Sequence, residues 1–170
     1  MDNSNNQPFN LDIAIEGALG FEEAGRFMDK NFYTTYKGAI SSAVNLALAV
    51  ELNLKILYYL DHQKLASRTH KIVDFFNALN ENTKTELIND FENYANANNT
   101  IDKETSALYK QYDNNLVAFL DYVSEVFVTW RYYGLDSTSP KESGTVGIDA
   151  CLYALKKQIA NHPNKVVSSL

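Results

Sequence analysis

Four side chains in this sequence have the type and spacing to do chemistry: Glu51, Lys55, His70 and Arg131. Glu51 and Lys55 stand four residues apart with the acid first, the favourable order for an ion pair on a helix. They interrupt the most apolar stretch of the chain, Ala43 to Leu60. Charge persists in such a place only when it is paired, and stranding one partner costs about 3–5 kcal/mol. The pair serves either as a ligand- or RNA-contacting site or as a structural ion pair, and we read it as structural. His70 has the chemistry of a general acid or base, since imidazole titrates near neutral pH. It stands equally well as a capping or packing group for the helix that follows it, which is our reading. Arg131 lies one turn past Phe127, where its planar fork suits either a phosphate or the Glu51 carboxylate. The expectation is one polar cluster of all four residues between a central and a long helix, with Arg131 paired to Glu51.

Other candidates carry less. Tyr109, Tyr112, Tyr122, Tyr132 and Tyr133 could stack bases, but aromatics at helical spacing read as core or interface. Glu22 and Glu23 lack the Glu-x-x-His partner of a di-iron bundle and read as a solvated face. His62 and His162 fall near helix ends, where a cation is favourable. Cys151 is the only cysteine, so neither an intramolecular disulfide nor a cysteine-based zinc site can form. No metal or cofactor is expected. With 15 basic and 21 acidic residues the net charge is −6, which argues against a protein living on non-specific phosphate contacts. The polar, acidic start (Met1 to Pro8) has no signal-peptide pattern. Asn45, Glu51, Asn53 and Lys55 break the apolar run and make it a poor membrane span. The expected compartment is the cytoplasm.

The elements that must position these residues read as helices. Seven Gly and three Pro in 170 residues leave long unpunctuated stretches. A first helix runs from Leu11 to Met28, weakened by Gly17, Gly20 and Gly25. A second, about Thr34 to His62, is apolar on most sides and is expected at the centre of a bundle. Ser67 or Thr69 caps a third with the stripe Ile72, Phe75, Phe76 and Leu79. Thr83 and Glu86 have capping-box spacing for a fourth. A fifth, from Asp102 to about Tyr133, carries Tyr112, Leu116, Leu120, Val123, Phe127 and Trp130 along one face. Gly134 to Gly147 read as a long exposed loop. A last helix, Ile148 to about Ala160, buries Leu152, Leu155 and Ile159. The sum is an all-α, up-and-down bundle of five to six helices: residues 1–9 a disordered tail, 10–163 one domain, 164–170 a frayed end.

Three pieces in order resemble the HEPN-like (higher eukaryotes and prokaryotes nucleotide-binding) domains. They are the apolar helix Ala43 to Leu57 with Glu51 and Lys55, His70 opening the short apolar helix to Leu79, and the Trp130-Arg131-Tyr132 step near the end of a long helix. A loop and a final amphipathic helix complete the pattern, over roughly Ile40 to Ala160. Lys71 departs from it, standing where an acidic residue often follows the His, and Gly134 ends the Arg-Tyr helix early.

The resemblance implies a homodimer and one of three roles. The first is a non-catalytic module of bacterial defence (antiphage or toxin–antitoxin) or stress response that binds a protein partner or nucleic acid. The second is a metal-independent ribonuclease. The third is a bundle paired with a nucleotidyltransferase. The ribonucleases of the family carry an Arg followed after four to six residues by a His. None of Arg26, Arg68 and Arg131 has a His at that distance. Catalysis would need Arg131 and His70 to converge from distant positions, and the non-catalytic module is the expectation.

Overall fold

The apolar second helix becomes the axis on which the others pack. A computed structural model describes residues 9–32, 34–67, 70–97, 115–131 and 147–165, with the backbone alone for Tyr36 and for residues 126–131. It is an all-α bundle, with six helices among the described residues: α1 (Leu11–Phe32), α2 (Tyr36–His62), α3 (Ile72–Asn77), α4 (Glu81–Ala97), α5 (Leu116–Arg131) and α6 (Ile148–Asn161). No strand occurs among the described residues.

Helix α2 starts where the Thr35 hydroxyl accepts the Gly38 N–H at 3.1 Å and stops where Gln63 turns left-handed, φ 52°. It packs against α1, α3, α5 and α6, while α4 lies on α6. By length and composition α2 could cross a membrane. Here its apolar sides are covered by helices: Leu46, Val50, Leu54, Leu57 and Leu60 are buried with Phe75, Phe76, Leu120, Leu152 and Leu155. Burying side chains of this size stabilises by about 1.5–3 kcal/mol each.

Several boundaries differ from the sequence reading. Helix α1 continues to Phe32, past Met28. Helix α4 begins at Glu81, so Thr83 is inside the first turn and is not a cap; its hydroxyl donates to Asp61 Oδ1 at 2.8 Å. The N-cap position of α3 is Lys71, with no side-chain cap bond. Phe9, assigned to the tail, has its ring 4.1 Å from that of Tyr59. The Leu116, Leu120 and Val123 part of the long stripe is buried as expected. The segment 98–114, including Tyr109 and Tyr112, and most of the Gly134–Gly147 loop lie outside the described residues. The end of that loop, Gly147, is described: φ 89° just before α6, a backbone that side chains other than glycine's rarely adopt.

Gly25 of α1 packs directly on Leu46 of α2. A Cβ there would sit 2.7 Å from Leu46 Cγ and 3.2 Å from the Leu46 backbone nitrogen. Gly25→Val should lower stability by about 2 kcal/mol or more through overpacking. A denaturant melt with unchanged midpoint would contradict this contact.

Candidate functional site

Glu51 lies midway along α2 and is 1% exposed. Lys55, one turn later, donates from Nζ to Oε1 at 2.6 Å. His70, on the segment leading into α3, brings Nδ1 to 3.1 Å from both carboxylate oxygens. An ionised carboxylate only accepts, so Nδ1 carries the proton and donates to both. Lys55 Nζ also lies 5.0 Å from the centre of the Phe75 ring, a cation–π distance. Three of the four residues expected to cluster are therefore together. Arg131 is the last residue of α5, and its side chain, with the expected Arg131–Glu51 pairing, lies outside the described residues.

Within this cluster only His70 has substantial contact with solvent, its side chain being about half exposed. Glu51 orients the ring and selects the tautomer, as a carboxylate does for a catalytic imidazole. With 1% exposure and both oxygens accepting hydrogen bonds, Glu51 cannot itself reach a substrate. The arrangement can hold an oriented imidazole at the surface, and it ties the start of α3 to the middle of α2.

Three further buried acids escaped the sequence reading. Glu22, expected on a solvated face, is 6% exposed. It accepts from Arg26 Nε at 2.9 Å and from Lys156 Nζ at 2.9 Å, while Arg26 reaches on to Asp149 at 2.6 Å. Burial pushes the Glu22 carboxyl up, but the hydrogen bonds from Lys156 and Arg26 outweigh it and hold the group below the ordinary carboxylate value. Asp90 accepts from Lys157 Nζ at 2.6 Å and Gln158 Nε2 at 2.7 Å.

Asp61, at the end of α2, accepts from the Asn80 N–H and the Thr83 hydroxyl, both at 2.8 Å, and from His162 Nε2 at 3.1 Å. Burial raises the Asp61 carboxyl; these three donors bring it below its ordinary value. The Asn164 N–H donates to His162 Nδ1 at 3.2 Å, so both ring nitrogens are engaged and His162 is a structural joint. His62 likewise meets the Ala78 carbonyl, at 2.7 Å. A polar cleft of about 500 Å³ opens beside this joint, lined among others by Glu81, Asn82, Glu86 and Asn161. Asp61 and Asp90 take their partners from remote segments, so spacing carried no signal of them; for Glu22 the signal was the four-residue step to Arg26, the same as that from Glu51 to Lys55.

Among the described residues no group of three or more His, Cys, Asp or Glu could hold a metal ion. Cys151 is fully buried, which pushes its thiol up and leaves it unreactive. No protein family, no curated protein and no solved structure matches the chain.

Two stability predictions follow from these contacts. Lys55→Met leaves Glu51 buried with His70 as its remaining partner among the described residues and should cost about 3–5 kcal/mol. Glu51→Leu should cost less, because the freed Lys55 can extend to water; equal losses in denaturant melts would contradict this ordering. Because the folded-state values of Glu22 and Asp61 are lowered, their stabilisation is complete above the ordinary carboxylate range, about pH 4, and is lost as pH falls through the lowered values. The melting temperature should drop on acidification below that point, with a shallower drop in Asp61→Asn. An Asp61→Asn profile parallel to the parent's would remove Asp61 from the account.

Proposed function

We propose that this chain is a HEPN-like helical module of bacterial defence or stress response that acts by association with protein and not by catalysis. One observation carries the reading. Of the eight large apolar side chains exposed among the described residues, five belong to α1: Ile13, Leu19, Phe21, Phe27 and Phe32. Apolar surface concentrated on one element marks an interaction face. The absence of an Arg-x4–6-His spacing and the net charge of −6 point the same way, away from RNA as substrate. The HEPN likeness itself rests on the Glu51, Lys55, His70 and Arg131 motifs. A nucleotidyltransferase is one protein partner this reading accommodates.

The ribonuclease reading has a specific observation in its favour: His70 is half exposed, with Nδ1 held by a buried carboxylate. In that reading His70 Nε2 takes the proton of a ribose 2′-hydroxyl, and Arg131 neutralises the phosphate. Incubating the purified chain with single-stranded and structured RNA separates the two. The expected result is intact RNA with the parent, His70→Ala and Arg131→Ala alike. Cleavage by the parent that is lost in His70→Ala, at unchanged melting temperature, would replace the association reading with the catalytic one.

A further inference from the structure

The polar cleft beside Asp61 has more hydrogen-bonding capacity than the protein uses. Its walls come from α4 and α6, with the end of α2 between them. Asn82 and Glu86 stand four residues apart on α4, and Gln158 and Asn161 three apart on α6. Both spacings put the pair on one side of its helix. The volume, about 500 Å³, is that of a small-molecule site, roughly 300–1,000 Å³.

Gln158 carries the argument furthest. It is 8% exposed, and its Nε2 donates to Asp90 Oδ2 at 2.7 Å. A carboxylate only accepts, so the amide cannot be turned round. Gln158 lines the cleft and Asp90 does not. What Gln158 brings to the cleft is therefore its carbonyl oxygen Oε1, which has no hydrogen-bond partner among the described residues. An acceptor this far withdrawn draws a donor from whatever enters the cleft. Around it, the exposed Glu86 carboxylate and the side-chain amides of Asn80, Asn82 and Asn161 also make no hydrogen bond among the described residues.

Charge decides what kind of donor fits. Asp61, Glu81 and Glu86 line the cleft, and no Lys or Arg does. Glu81 is answered by Lys84 at 2.6 Å. Lys157 is near enough to Glu86 to feel its charge, but it gives its ammonium to Asp90 at 2.6 Å. His162 accepts the Asn164 N–H at Nδ1, so the ring is neutral and Asp61 keeps its full negative charge. The start of α4 could draw an anion, but Asp61 already accepts the Asn80 N–H there. No Phe, Tyr or Trp lines the space, so no such ring is present to stack a base. An ammonium has three donors and no acceptor, which matches this lining.

We propose that the cleft binds an aliphatic polyamine. One ammonium is held by Glu86 and the Gln158 carbonyl. A second is drawn by the charge of Asp61 and bonded by the carboxamide oxygens of Asn80 and Asn161. The site goes beyond the association reading and does not depend on it.

Titrating spermidine into the full chain at low ionic strength tests this, with heat and backbone amide shifts as readouts and circular dichroism as the folding control. The expected result is one site, with shifted amides confined to residues 80–86 and 158–164. Glu86→Gln should weaken binding by roughly tenfold, and Glu86→Lys should abolish it. Glu86 is exposed, so helix content should be retained in both. Glu23→Gln, at an exposed acid on α1, should bind as the parent does.

No heat and no shift up to about 5 mM spermidine would overturn the proposal. Equal losses in Glu86→Gln and Glu23→Gln would do so too, reducing the binding to diffuse attraction by an acidic chain. Maltotriose shifting the same amides where spermidine does not would give the carboxamides to a neutral polyol. Capped lysine binding as tightly as spermidine would mean that the cleft reads a single ammonium, as on a protein side chain, and would remove the polyamine.

Discussion

A carboxylate withdrawn from water has to be answered by hydrogen bonds and opposite charge, and four of them stand between elements among the described residues of this bundle. The answer at Glu51 comes from Lys55 one turn away and from His70 across a loop. That residue stands on the helix against which α1, α3, α5 and α6 all pack. A purely apolar α2 could rotate or slide against its neighbours with small loss, because Leu, Ile and Val contacts are exchangeable. A buried Glu that must meet a particular imidazole cannot. The cluster thus fixes where the segment before α3 joins α2, which in turn seats Ile72, Phe75 and Phe76 in the core.

The same constraint explains which parts of the fold were legible in the sequence. Helices α2, α5 and α6 announce themselves through apolar periodicity, and the buried positions Leu54, Leu120, Leu152 and Leu155 coincide with the stripes read from spacing. Glu51 and Lys55 were legible because their partnership is local. Asp61 was not, since its donors Asn80, Thr83 and His162 lie 19 to 101 residues away. Glu22 has a local partner in Arg26 at the same four-residue spacing, but its burial depends on Lys156, 134 residues away. No local pattern distinguishes a surface acid from one awaiting a distant lysine. Thr83 shows the converse error. Its spacing to Glu86 imitates a capping box, but the helix has already begun at Glu81, and the hydroxyl donates to the Asp61 carboxylate at the end of α2, a charged acceptor.

Helix α6 shows how the remaining acids divide the work. Successive residues on a helix point about 100° apart, so neighbouring lysines serve different partners. Lys156 reaches Glu22 on α1, and Lys157 reaches Asp90 on α4, where Gln158 joins it. Arg26 closes the first of these contacts by returning from α1 to Asp149 at the start of α6. Two adjacent residues therefore staple the last helix to elements on either side of it. Ion pairs of this kind add little net stability over apolar contacts of the same shape, because desolvation offsets most of the attraction. What they supply is discrimination. If α6 turned by one residue, Lys156 would lose Glu22 and Lys157 would lose Asp90 together, stranding Asp90 and leaving Glu22 to Arg26. The apolar face of α6, where Leu152, Leu155 and Ile159 are all buried, would tolerate that rotation far better than the charges do. The hydrophobic stripes thus explain why the helices associate, and the buried acids explain why they associate in one register.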